Sequence, residues 1–375
     1  MTGPRFQITF RAQTLPSTRI GVAEHFWNIG CFDGTGFPNS LTKTMNSTKL
    51  PPLMVEERAT FSAPPETPNL VAGEQRFTSI ISQFFLIPAL IAITAVAIFV
   101  GVKMMTGEEK DPILLVNEIR LQHGSARWQV AYDLNSRLVR DPEARRNPKL
   151  VPEIMRAFME IQPSADPDDM RTRTYLVTIL GTLRNPAALA VVRPAMRDKD
   201  GATQVAAIQA AGSIGDAVVI PELIEFAKDD DAGLRKAGVF ALGLFSPKRR
   251  VAEGREALSE SERKQALETI YGAFRSPVDD VRWNAALALA RWGEPESATA
   301  LRTMLDRTYL EKTVKPEDVS LASGMVDEVM VNAMKGVLEL KDASFRPLLE
   351  SLRTSDRSME VRQAAGTALE ALGKS

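Results

Sequence analysis

The sequence predicts an all-α protein: an α-solenoid of about six to seven stacked helix pairs, preceded by one apolar helix and a segment without regular structure. Three observations carry this expectation. One helical phrase recurs through the last two-thirds of the chain, clearest in VRWNAALALARWG (281–293), LRKAGVFALGLF (234–245, with Gly238 in an alanine slot) and VRQAAGTALEALG (361–373). An uninterrupted apolar run, FFLIPALIAITAVAIFV, continues through Gly101 and Val102. Residues 1–83 are rich in Pro, Thr, Ser, Asn and Gly and have no sustained period. A repeating unit of this length marks a stack of helix pairs rather than a compact enzyme core.

The elements follow in chain order. Residues 1–83 read as disordered, since too little apolar surface is available to offset chain entropy. MTGPRFQITFRAQ has no apolar core and is not a signal peptide, and Met45 and Met54 are alternative start positions. Residues 84–105 read as a transmembrane helix. From Phe84 to Val102 no residue is charged or strongly polar, and at 1.5 Å per residue this is roughly 28 Å, close to a bilayer's hydrocarbon thickness. The expectation is therefore a single-pass protein of the cell membrane with residues 84–102 in the bilayer. Lys103 and Lys110 against Arg76 favour a cytoplasmic C-terminal side. The absence of an export signal before the anchor favours the opposite, extracytoplasmic placement, which is the one adopted. TGEEKDP supplies a polar linker over 106–111.

From 112 to 375 everything reads helical. The expected pairs are 112–122 with 125–140, 148–161 with 168–183, 186–197 with 202–214, 217–228 with 232–245, 259–275 with 279–293, 297–308 with 323–341, and 343–353 with 358–372. Between them stand turn-forming residues: Gly124, Pro163, Pro167, Asp198 to Gly201, Asp229 to Asp231, Pro277, and Ser355 with Asp356. Each second helix opens on a shared position held by Arg127, Arg173, Gln204, Arg235, Arg282, Met330 and Arg362. These recur every ~31 or ~47 residues, within the range of helical repeats. The long intervals carry insertions near 165–169, 246–261 and 308–321. Three residues after the shared position stand Val130, Gly238, Ala285, Ala333 and Ala365; seven after stand Leu134, Leu180, Leu242, Leu289 and Leu369. The small residues let helices approach, the leucines fill between layers, and the arginines Arg127, Arg173, Arg235, Arg282 and Arg362 are expected to bond turn carboxylates or helix ends.

This pattern resembles the HEAT-like repeats of the phycobilisome-lyase type over residues 112–375. The resemblance is strongest where Asp279-Asp280-Val281-Arg282 leads into AALALARWG and where Glu360-Val361-Arg362 leads into AAGTALEALG. Gln204 and Met330 depart from it. It implies a solenoid whose second helices line the concave face, and it says little about function, since such repeats serve scaffolds, adaptors, nucleic-acid enzymes and bilin lyases alike.

At 100° per residue the core of each second helix centres one before, and three, seven and ten after, the shared position. The opposite face holds Trp128/Tyr132, Thr174/Thr178, Val205/Gln209, Lys236/Phe240, Trp283/Leu287, Val331/Lys335 and Gln363/Thr367. Trp128, Tyr132, Lys236, Phe240, Trp283 and Leu287 are the candidate partner-binding residues, because large side chains there would line a groove. Lys248, Arg249 and Arg250 read as a solvated basic loop, with anionic headgroups or an acidic partner as its functional reading.

Several chemistries find no support. The formal net charge of −1 gives no bias toward nucleic acid. One cysteine, Cys31, and two histidines, His25 and His123, make an internal disulfide impossible and a zinc cluster unexpected. No catalytic constellation, metal set or cofactor motif appears; the GTG run at 34–36 follows no strand and is not a phosphate loop. The expected function is a non-catalytic, membrane-anchored scaffold or adaptor that binds a protein partner at the membrane. The alternatives are a lyase or chaperone related to bilin lyases, and an accessory subunit of a membrane transport or secretion complex.

Overall fold

The computed structural model describes residues 87–105, 110–314 and 319–373. The expectations for residues 1–83, including Cys31, His25 and the GTG run, lie outside the described residues. Two units are present, one within 33–111 and one from 112 onward.

In the first unit, α1 runs Ile87–Met105. Thr94, its one hydroxyl residue, returns its Oγ1 to Leu90 O at 2.8 Å, while Leu90, Ile91, Ile93, Val96, Ile98 and Phe99 are exposed. Here the single-pass expectation is corrected: among the described residues no helix is long and apolar enough to cross a membrane. The described helix runs Ile87–Met105, with Lys103 in its last turn. The uncharged stretch 87–102 thus spans about 24 Å, against ~30 Å of hydrocarbon.

In the second unit all described elements are helical. The chain runs α2 Pro112–Leu121, α3 Ser125–Arg140, α4 Leu150–Glu160, α5 Pro167–Leu183, α6 Leu189–Ala195, α7 Gly201–Ile214, α8 Ile220–Phe226 and α9 Ala232–Gly243. It continues as α10 Pro247–Ala252, α11 Glu260–Phe274, α12 Asp279–Trp292, α13 Ser297–Met304, α14 Arg307–Thr313, α15 Val319–Leu340, α16 Arg346–Ser355 and α17 Met359–Gly373. The second helices of the pairs are α3, α5, α7, α9, α12, α15 and α17, and each packs on the next along one row. Two of the insertions contain short helices, α10 and α14.

Local chemistry explains the starts and stops. Asp166, Asp200 and Asp231 precede α5, α7 and α9 and accept from the backbone N–H groups of Asp168, Thr203 and Leu234, which satisfies donors a helix start leaves open. Ser259 and Glu262 form a reciprocal capping box on α11. Gly215 and Gly293 end α7 and α12 in the left-handed region, where glycine carries no steric penalty.

The shared arginines close the turns inside each pair. Arg235 Nη1 donates to the carbonyls of Asp229 and Asp230, both at 2.7 Å; Arg282 Nη1 donates to Ser276 O at 2.9 Å and pairs with Asp279. Arg362 Nη1 donates to Asp356 O and Arg357 O. Arg127 reaches Gln122 O and Asp169, with His123 Nδ1 at 3.1 Å. Arg173 is buried: it donates to Phe158 O, Ile161 O and Asp198 while lying over the Phe158 ring. In every case a guanidinium meets carbonyls at the C-terminal end of the preceding helix or the turn beyond it, where the backbone offers unpaired acceptors.

A glycine ladder sets the spacing of the row. A Cβ placed on Gly181 would lie 2.8 Å from Ala210 Cα, one on Gly212 2.7 Å from Ala241 Cα, and one on Gly243 2.8 Å from Ala288 Cβ. Each glycine stands eight residues after the shared position and meets an alanine six after it in the next pair. The second helices therefore pack backbone against backbone along this row. Gly212→Val is expected to lower unfolding stability by about 1–3 kcal/mol, the usual cost of forcing volume into a closed contact. The urea midpoint of the full chain checks it.

Two apolar clusters share α12. Val281, Ala285, Ala288, Leu289 and Trp292 face the cluster that runs back to Leu115. Trp283, Ala286, Leu287 and Ala290 face the cluster that runs on to Leu372. Trp292 Nε1 donates across the first cluster to Leu242 O at 3.2 Å.

The basic stretch Lys248–Arg250 is corrected from a solvated loop to a clamp within and beside α10. Arg249 and Arg250 are buried. Arg249 donates to Glu253, Leu244 O and Ser213 O, and Arg250 to Gly215 O and Glu256 O. Glu253 also takes Arg184 and Arg255. Burial pushes the Glu253 carboxyl up, but Arg249, Arg184 and Arg255 overcome it and hold the group below the usual carboxylate range. The guanidinium charge is spent on the carbonyl ends of α7 and α9, where the helix dipole is negative. Lys248 remains outside, paired with Glu339 at 2.5 Å.

Candidate functional site

The face carried by the second helices divides into two parts of different chemistry. The first two pairs carry aromatic side chains; the later pairs carry charges and a covered apolar stripe.

Trp128 and Tyr132 project from α3 one turn apart, at the edge of the stripe that holds its buried Ala131, Leu134, Asn135 and Leu138. Tyr175 of α5 stands between them: its ring stacks on Trp128 at 6.4 Å with 14° between planes and meets Tyr132 edge-on at 5.8 Å. Arg171, one turn before Tyr175, lies over the Trp128 ring at 5.6 Å and pairs with Asp168 at 3.6 Å. Tyr132 is 44% exposed, whereas burial, followed by Tyr132, pushes the Tyr175 hydroxyl up. The Trp128 indole N–H is enclosed and meets no acceptor among the described residues. Aromatic faces and a guanidinium thus collect at one patch, with Tyr132 its exposed ring and the unmatched Trp128 N–H enclosed beneath. Tyr175 and Arg171 escape a reading of single helices, because they lie two after and two before the shared Arg173. Only the turn from one pair to the next brings those positions beside Trp128.

Farther along, the expected apolar groove is absent. Trp283 and Leu287 are 5% and 9% exposed and belong to the core. The long helix α15 covers them: a Cβ on Gly336 would lie 3.0 Å from Leu287 Cδ2, and Met330 and Met334 join the same cluster. Phe240 is half-buried beneath the Arg291 guanidinium at 5.2 Å, and Lys236 pairs with Asp280 at 3.5 Å. Of the six candidate partner-binding residues the structure thus gathers Trp128 and Tyr132 at one patch, places Lys236 and Phe240 in a charged region, and removes Trp283 and Leu287 into the interior.

With this geometry in hand, comparison with known proteins addresses the fold. Residues 161–243 match the family model of HEAT repeats. No curated protein matches. Among solved structures the chain is similar to the complex of CpcE and CpcF of phycocyanin lyase from Nostoc sp. PCC7120, at 18% identity and TM-score 0.43, covering 71% of this chain and 96% of that one. It is also similar to human deoxyhypusine hydroxylase, at 14% identity and TM-score 0.30, covering 70% and 98%. An engineered protein follows at 15% identity and TM-score 0.34, covering 71% and 98%. These are likenesses of a repeat architecture, and they carry no activity to this chain.

Proposed function

We propose that this chain is a non-catalytic binding module that holds a protein partner on the face carried by the second helices of its first two repeats. The observation that supports it is the ring cluster of Trp128, Tyr132 and Tyr175 with Arg171 across two successive helices. Tryptophan, tyrosine and arginine are the residue types that dominate interface energetics, and they do so where rigid rings can be fully desolvated by a partner. A rigid row of helices presents them at little entropic cost. The near-neutral net charge points the same way, toward a protein rather than a nucleic acid.

Tyr132 is the exposed ring and the residue to change. Tyr132→Ala in the full chain should weaken partner binding by about 2 kcal/mol, or ~30-fold, with an unchanged melting temperature. Gln363→Ala, at the equivalent face of the last repeat, should bind as the unaltered chain does. Capture of the same partner to the same extent by both variants would contradict the proposal.

A further inference from the structure

Helix α1 is apolar on every side along most of its length. Each residue from Ala89 to Phe99 is exposed, and the one hydroxyl among them, on Thr94, bonds within the helix to Leu90 O. Leu90, Ile91, Ile93, Val96, Ile98 and Phe99 are 59–67% exposed. Together they leave on the order of 600 Å² of apolar surface open, at the top of the ~300–600 Å² that the largest patch of a monomer reaches. Each side of a stable protein pair buries about 800 Å², and the exposed surface of this one helix is of that order. A helix apolar all round is covered in the working molecule.

One face of α1 has a shape that fits its own copy. Ala92, Ile93, Val96 and Ala97 line a shallow groove. Ala92 and Val96 stand one turn apart on one ridge, and Ile93 and Ala97 one turn apart on the next. At each level the groove has an alanine on one flank and a branched side chain on the other, in reversed order at the two levels. A parallel copy related by a two-fold axis along the helices sets left flank against right. Ala92 then meets Ile93 of the second copy, and Val96 meets its Ala97. A branched side chain faces an alanine at both levels, on both copies, which is the isologous contact of a two-fold dimer. We propose that two copies of this chain pair in parallel through α1, along the face of Ala92, Ile93, Val96 and Ala97. Pairing brings two solenoids into one assembly and is independent of what either solenoid binds.

The test uses the full chain carrying Cys31→Ser, which removes its one cysteine, together with either Val96→Cys or Ile98→Cys. Val96 lies at the groove and Ile98 on the opposite side of the helix; the two are equally open, at 61% and 62%. Cross-linking is started with copper phenanthroline and dimers are measured on non-reducing gels. Val96→Cys should cross-link at least about fivefold faster than Ile98→Cys, since a disulfide bridges only Cα atoms within ~7 Å. Adding Ile93→Lys to Val96→Cys should abolish the cross-link. A rate for Val96→Cys no greater than that for Ile98→Cys marks indiscriminate contact of apolar helices and overturns the proposal. So does the absence of any cross-link with Val96→Cys, or one that survives Ile93→Lys.

Discussion

Trp283→Ala should destabilise the chain by about 3–5 kcal/mol, the range for truncating a fully packed indole. The residue is 5% exposed and belongs to the cluster it forms with Leu287, Met330 and Met334. Its loss would open a cavity between α12 and α15, where the two apolar clusters share one helix. Relaxation into that cavity is limited, because Leu287 already meets Gly336 on the same interface. A chemical denaturation curve checks this, and the first effect should be separation of the last two repeats from the rest, seen as a shallower transition. A shift within about 0.5 kcal/mol, typical of a surface site, would place Trp283 on the solvent face after all.

Asp198→Ala should cost a similar amount, about 3–5 kcal/mol, by leaving a buried guanidinium without its counter-charge. The Arg173 and Asp198 side chains are 6% and 5% exposed and lie 2.6 Å apart. Arg173 keeps its bonds to Ile161 O and Phe158 O in the variant, but carbonyl dipoles do not neutralise a full charge in the interior. Glu350→Ala is the contrast. Its partner Arg353 is half exposed, as is Glu350 itself, and such a pair contributes ~0–1 kcal/mol. The double change Arg173→Met with Asp198→Leu should cost less than Asp198→Ala alone, since it removes the stranded charge together with its partner.

Much of the architecture was legible because it rests on local rules. Most second helices announce themselves through an arginine that closes the turn, small residues at the helix contact and leucine in the core. All of these occur within one repeat and depend on helical period alone. Leu134, Leu180, Leu242 and Leu289 are fully buried, as that period requires. What escaped depends on contacts between distant segments. The fate of Trp283 turns on how α15 leans, and nothing in residues 279–293 encodes that. Lys248–Arg250 reads as solvated until the carbonyl ends of α7 and α9, more than thirty residues earlier for Ser213 and Gly215, are brought against it. The apolar run at 84–102 shows the limit of run length as a signal: the described helix Ile87–Met105 takes in Lys103, and among the described residues no helix is long and apolar enough to cross a membrane. Helix α14 had a readable signal, since Asp306 caps it through Tyr309 N, but its insertion obscured the period.

The aromatic patch stands between these cases. Trp128 and Tyr132 were visible from one helix, whereas Tyr175 and Arg171 complete the patch only when α5 is laid beside α3. The central claim is that this patch is where a partner sits. Hydrogen–deuterium exchange of the full chain, with and without the captured partner, tests it most directly. Protection on binding should concentrate in residues 125–140 and 167–183. Protection confined to 319–373, or none in the first two repeats, would contradict it.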